Sequence, residues 1–122
     1  MKTIYAKNFS DWSEVPDDFT GIIIDEDGNK IWYQNGLWHR TDGGPAVEYP
    51  NGYKAWWQNN QVHRLDGPAV EFSDGYKEYY VLGQILTENR FQIFQVMWER
   101  TLLERNEELM KIFLKLAKMK QK

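Results

Sequence analysis

The chain writes one phrase twice. "HRTDGGPAVEYPNGYKAWW" begins at His39, and "HRLDGPAVEFSDGYKEYY" begins at His63. A tandem repeat of this kind implies one supersecondary unit stacked on its neighbours, each unit covering surface the next leaves open. Aligned on itself, the chain gives three copies: Thr20–Asp42, Gly44–Asp66 and Gly67–Asn89, with Gly43 as a one-residue insertion. Gly28, Gly52 and Gly75 coincide, as do Lys30, Lys54 and Lys77, and Trp32, Trp56 and Tyr79. The third copy reads Leu86-Thr87 where the others have His-Arg.

Turn signals recur about every eight residues, among them Asp27-Gly28, Asn35-Gly36, Asn51-Gly52, Asn59-Asn60 and Asp74-Gly75. These pairs tolerate the positive φ that tight hairpin turns require. The segments between them are short and rich in Trp, Tyr, Val and Ile, which is strand composition. The fold class expected is α+β: an antiparallel β-meander of three copies of about 23–24 residues, with about eight or nine short strands, followed by a long C-terminal helix. An arm over 1–19, a repeat region over 20–87 and a helix over 88–122 form a single domain.

If every turn is a two-residue turn, counting puts Ile23 opposite Trp32, Trp32 opposite His39, Val47 opposite Trp56, Trp56 opposite His63, His63 opposite Val70, and Val70 opposite Tyr79. One face then carries Ile23, Trp32, His39, Val47, Trp56, His63, Val70, Tyr79 and Leu86. The other carries Tyr33, Trp38, Trp57, Val62, Tyr80 and Ile85, mixed with Glu48, Glu71, Arg40 and Arg64. Both faces are apolar enough to want covering.

Thr87 suits an N-cap and Glu88 a first turn. No Gly or Pro follows as far as Lys122. Phe91, Phe94 and Trp98 lie at helical spacing, and so do Leu109, Phe113 and Leu116 with Ile112 alongside. A single helix over 88–121 would be about 50 Å long, against a domain diameter of roughly 35 Å. It either overhangs the sheet or breaks near Glu104–Glu108. Leu109, Ile112, Phe113 and Leu116 then either self-associate or fold back on the sheet.

The "WYQNG", "HR.DGPA" and "DG.K" pieces resemble the degenerate MORN-like tandem repeats of small phage and bacterial proteins, over roughly residues 17–90. The resemblance implies a repeat β-sheet, a cytosolic setting and a phage or mobile-element gene. It implies little about activity.

His39-Arg40 and His63-Arg64, each with an Asp two residues beyond the Arg, are the nearest approach to acid–base chemistry. Their repetition favours a structural role, because a catalytic constellation is built once while a repeated residue serves its own copy's turn. A hydrolase on His39 and His63 is the weakest of the readings weighed. With no Cys and only 2 His, thiolate zinc sites and disulfides are excluded. Asp25-Glu26-Asp27-Gly28 lacks calcium-loop spacing. Neither a phosphate-binding Gly loop nor a G-x-S-x-G elbow is present. No cofactor or metal is expected, and the chain reads as no enzyme.

Residues 1–87 hold 13 acidic and 7 basic side chains, and 88–122 hold 5 and 8. Phosphate contacts need local positive potential, so the acidic repeat region argues against the alternative reading, nucleic-acid or nucleotide binding on the aromatic sheet face. Lys111, Lys115, Lys118 and Lys122 along the tail read as a solvated face. No apolar run is long enough for a membrane span or a signal peptide, and a cytoplasmic location is expected.

The function expected is protein–protein interaction: a phage accessory protein that binds and inhibits or redirects a host protein such as a defence enzyme. Aromatic and Arg side chains dominate binding hot spots. The partner-binding candidates are therefore Trp32, Trp38, His39, Arg40, Trp56, Trp57, His63, Arg64 and Tyr79. Leu109, Ile112, Phe113 and Leu116 are the candidates for a homodimer contact.

Overall fold

A computed structural model describes residues 2–6, 15–100 and 107–120. Eleven strands precede two helices among these residues: β1 (Lys2–Ala6), β2 (Gly21–Asp25), β3 (Lys30–Gln34), β4 (Leu37–Trp38), β5 (Val47–Glu48), β6 (Lys54–Ala55), β7 (Trp57–Gln58), β8 (Gln61–Val62), β9 (Val70–Glu71), β10 (Lys77–Val81), β11 (Gln84–Leu86), α1 (Glu88–Arg100) and α2 (Glu107–Lys120). The protein is α+β, with a mostly antiparallel sheet followed by a helical region. The main sheet runs β1-β2-β3-β5-β6-β9-β10-β11. β4 hangs on β3 beside β5, and β7–β8 form a separate hairpin. The path is thus not a plain meander, since β6 pairs with β9 across the intervening hairpin. Among the described strands only β1, at the edge, pairs in parallel.

Two kinds of turn alternate. Asn35-Gly36, Asn59-Asn60 and Leu82-Gly83 all have positive φ at both positions, the requirement of a tight two-residue hairpin. The turns at Gly28, Gly52 and Gly75 are one residue longer. Tyr49 N–H donates to Tyr53 O at 2.9 Å and Gly52 N–H to Tyr49 O at 3.1 Å; Asp25/Asn29 and Phe72/Tyr76 repeat the pattern. In each the Gly, with φ between 85° and 100°, ends a three-residue loop in the left-handed conformation.

That extra residue corrects the expected register. Ile23 pairs with Ile31 and Trp32 with Ile22; Val47 pairs with Ala55 and Val70 with Glu78. Around the two-residue turns the expectation matches: Tyr33 pairs with Trp38, and His39 N–H bonds Trp32 O at 3.0 Å. His63 N–H likewise bonds Trp56 O at 2.9 Å. The pairing of His63 with Val70 is not among the strand pairs. A one-residue slip moves side chains between faces, so the expected mixed stripe separates into two unlike surfaces.

The apolar face holds the row Ile23, Ile31, Val47, Ala55 and Val70, buried together with Phe19 and Tyr33. The opposite face holds a row of alternating charge: Lys30 opposes Glu48, Glu48 opposes Lys54, Lys54 opposes Glu71 and Glu71 opposes Lys77. Each opposed pair favours the native register by roughly 0.2–1 kcal/mol.

Thr87 caps α1 as the sequence suggests, its Oγ1 accepting the Arg90 N–H at 3.2 Å. The expected single long helix is replaced by two that pack together. A continuous helix would hold Leu114 about 30 Å from Phe94 at 1.5 Å per residue, yet Leu114 and Ala117 are buried in one cluster with Phe94, Phe91, Val81 and Leu86. Trp98 and Phe113 meet edge to face at 6.3 Å, and Lys118 hydrogen-bonds Gln84. Burial of the second apolar patch, for which a straight helix provides no surface, is the physical reason. Of the expected break region at 104–108, residues 104–106 lie outside the described residues, and Glu107 and Glu108 open α2.

Candidate functional site

Each repeated His reaches forward into the next copy. His39 Nδ1 accepts the Asn59 N–H at 3.1 Å, and His63 Nδ1 accepts the Leu82 N–H at 2.9 Å. Thr20 Oγ1 does the same for Asn35 at 2.9 Å. All three bonds hold the first residue of a two-residue turn. The second turn residue bonds backward as well: Gly36 N–H to Phe19 O of the N-terminal arm at 2.9 Å, and, to the preceding copy, Asn60 N–H to Trp38 O at 3.1 Å and Gly83 N–H to Val62 O at 2.9 Å. Burial pushes the His63 pKa down, against a smaller opposing pull from Glu107. A neutral imidazole accepting at Nδ1 carries its proton on Nε2.

Each Arg side chain lies back over the Trp of its own copy and reaches forward to the start of the next. Arg40 lies over the Trp32 ring at 3.9 Å and Arg64 over Trp56 at 3.8 Å, a cation–π geometry. Arg40 Nε donates to Asp42 at 2.6 Å and its Nη1 to Pro45 O at 3.0 Å. Arg64 repeats this with Asp66 at 2.8 Å and Pro68 O at 3.0 Å. Glu48 and Glu71 complete the two ion networks at 3.6 and 3.4 Å. The Arg40 guanidinium, with help from the Gly44 N–H, holds the Asp42 carboxyl below its usual range. In the third copy Phe91 of α1 takes the Arg position over the ring, 4.9 Å from Tyr79. The helix therefore closes the stack where the His-Arg pair is lost.

Of the candidate contact residues, Trp32 and Trp56 are buried beneath their own Arg. They share the charged face with His39, Arg40, His63, Arg64 and Tyr79. Clefts of about 240 Å³ beside Trp32, His39 and Arg40, and about 470 Å³ beside Trp56, His63 and Arg64, gather these groups. Trp98, Glu107 and Met110 of the helical region wall the larger one. Among the described residues no group of three or more His, Asp or Glu stands placed to hold a metal ion.

Trp38 and Trp57 lie on the apolar face, edge to face at 4.8 Å, half-buried against its core. Beside them runs a ladder that the sequence reading did not single out. Tyr49 and Tyr53 are 5.1 Å apart, Tyr53 and Phe72 5.6 Å, and Phe72 and Tyr76 5.5 Å. The signal was available in "YPNGY" and "FSDGY", where aromatics bracket each three-residue loop. Tyr76 is 60% exposed and Ile85, farther along the same face, 56%. Among the described residues neither helix joins this face's core cluster.

On α2, Phe113 packs on the helical cluster while Ile112 and Leu116 stay exposed, and Leu109 is half-buried. No described helix is long and apolar enough to cross a membrane. No protein-family model, curated protein or solved structure matches the chain.

Proposed function

We propose that the chain is a non-enzymatic protein-binding module, an array of three copies that presents its apolar sheet face to a partner. The observation that carries this reading is the ladder Tyr49–Tyr53–Phe72–Tyr76, half-exposed on the face that also carries Trp38 and Trp57, with no described helix in that face's core cluster. Rigid aromatics on a sheet provide large contact area at small entropic cost, the usual make-up of a binding hot spot. The His-Arg pairs support the same division of labour. His39, Arg40, His63 and Arg64 are engaged in holding copies together, which leaves the other face for recognition. The MORN-like resemblance makes a host protein, such as a defence enzyme met in the cytoplasm, the partner class. Ile112 and Leu116 add a self-association contact on the outside of α2, with Leu109 at its margin.

The test is capture of binding proteins by the full chain and by Tyr53→Ser/Tyr76→Ser. Loss of a hot-spot aromatic costs about 2 kcal/mol or more, so the double variant is expected to lose its partner. Capture that is unchanged in the variant and collapses with added salt would point instead to nucleic acid on the charged surface.

A further inference from the structure

The charge row across the sheet stops at Lys77, and the reason is a missing strand. Beside Lys30 and Ile31 lies β5, from the Gly44–Glu48 segment; beside Lys54 and Ala55 lies β9, from Gly67–Glu71. The third copy's Lys77 and Glu78 pair with β9 on one side. On the other, β11 begins its pairing only at Tyr79, and no third Gly-Pro-Ala segment follows because the chain enters α1 at Glu88. The place is a cleft of about 760 Å³ lined by Tyr76, Glu78, Ile85, Thr87, Glu88 and Arg90, among others.

The backbone there is poised for a strand. Ala69 N–H donates to Glu78 O at 2.8 Å and Phe72 N–H to Tyr76 O at 2.9 Å, so these carbonyls face β9. Antiparallel strands alternate the direction of successive residues' polar groups. Lys77 therefore directs its N–H and C=O into the cleft. The corresponding side of the first two copies is where Trp32 N–H meets Ala46 O at 2.8 Å and Trp56 N–H meets Ala69 O at 2.7 Å.

We propose that this cleft takes an extended segment of a partner protein as one further antiparallel strand, of the pattern Pro-Ala-(Lys/Arg)-(Asp/Glu); the proposal rests on the protein-binding reading and gives it a site. The two filled slots define the pattern. Ala46 and Ala69 are fully buried in them, so the residue at that position is small. Glu48 and Glu71 oppose Lys residues, so an acid opposes Lys77. Val47 and Val70 oppose Ile31 and Ala55, but the third copy has Glu78 there. Its carboxylate sits on the apolar face, taking a 3.3 Å bond from the Tyr80 hydroxyl, and a basic residue suits it where Val suits the others. A second copy of this chain is a poor occupant, since both of its own Gly-Pro-Ala segments are already built into its sheet. Strand addition of this kind draws affinity from main-chain bonds and specificity from alternate side chains.

The probe is the peptide Gly-Pro-Ala-Lys-Glu-Tyr, blocked at both ends and titrated into the isotope-labelled full chain while amide shifts are followed. Saturable shifts centred on Lys77, Glu78 and Tyr79 are expected. Exchanging the peptide's Lys and Glu, or methylating its Glu amide nitrogen, is expected to weaken binding by about tenfold or more, equivalent to about 1.4 kcal/mol. Lys77→Glu is exposed and is expected to prefer the peptide with Lys in both charged positions. No saturation at about millimolar peptide, equal binding of all peptides, or shifts centred elsewhere would overturn the proposal. If the peptide fails while partner capture still depends on Tyr53 and Tyr76, the slot alone is wrong. If both fail, the protein-binding reading falls with it.

Discussion

His63 Nδ1 accepts the Leu82 N–H at 2.9 Å, joining residues 19 apart in sequence. Through this bond, and its counterpart from His39 to Asn59, a side chain of one copy sets the turn of the next. Removing the acceptor leaves a partly buried N–H unsatisfied, at a cost of about 1–3 kcal/mol. Urea unfolding is expected to show that loss for His63→Phe and a smaller one for His63→Gln, which keeps an acceptor.

The same histidine predicts a pH dependence. Its folded pKa lies below the ordinary imidazole value of about 6.5 because burial disfavours the imidazolium. As pH falls through about 6.5 the unfolded chain takes up a proton that the folded chain refuses, so stability falls as the pH drops toward the depressed folded value. His63→Gln should flatten that part of the stability–pH curve. An identical slope in the two proteins would contradict the buried, neutral imidazole.

Leu82 occupies φ 50°, where the corresponding residues Asn35 and Asn59 occupy 51°. Leu is strained there by about 1 kcal/mol, and it stays because its side chain packs on the helical cluster. Leu82→Ala loses the packing and keeps the strain; Leu82→Gly loses the packing and relieves it. The Gly variant is therefore expected to be the more stable of the two by about 1 kcal/mol, reversing the usual order within a strand.

Arg64 combines the Trp56 ring, Asp66 and Pro68 O in one planar group. Arg64→Ala is expected to cost about 1–3 kcal/mol in chemical unfolding, with a red shift of Trp fluorescence as Trp56 becomes wetter. Arg64→Lys should recover little, since an ammonium cannot stack and fork at once.

Two neighbours on α2 should behave oppositely. Leu114 is 2% exposed and Ile112 is 55% exposed. Leu114→Ala is expected to cost about 2–5 kcal/mol. Ile112→Lys/Leu116→Lys should leave stability nearly unchanged and convert a dimer to a monomer in light scattering. A wild-type chain that is monomeric at high concentration would remove the self-association contact from the account.

Much of the architecture is readable from the residues, because turn chemistry is local. Asn35-Gly36 announces a tight hairpin, and Thr87 followed by Glu88 announces a helix start. The register was misread where the same dipeptides serve a longer loop: nothing in Asn51-Gly52 alone says that Tyr49, not Pro50, pairs with Tyr53. That single residue exchanged Val47 with Glu48 between faces, and with them the distinction between apolar and charged surfaces. The return of α2 was one of two open alternatives, since no Gly or Pro marks it and what decides it is tertiary, the burial of Leu114 and Ala117. The aromatic ladder became visible only once the loops were known to bring Tyr49, Tyr53, Phe72 and Tyr76 side by side.

The central claim is that recognition uses the apolar face while the His-Arg face holds the array together. A photo-crosslinking residue placed at Tyr76, exposed on the first face, or at Lys54, exposed on the second, tests it directly in a bacterial lysate. The account predicts one discrete protein adduct from position 76 that persists in high salt, and none from position 54. Adducts from position 54 alone, or adducts to nucleic acid that vanish with salt, would contradict it.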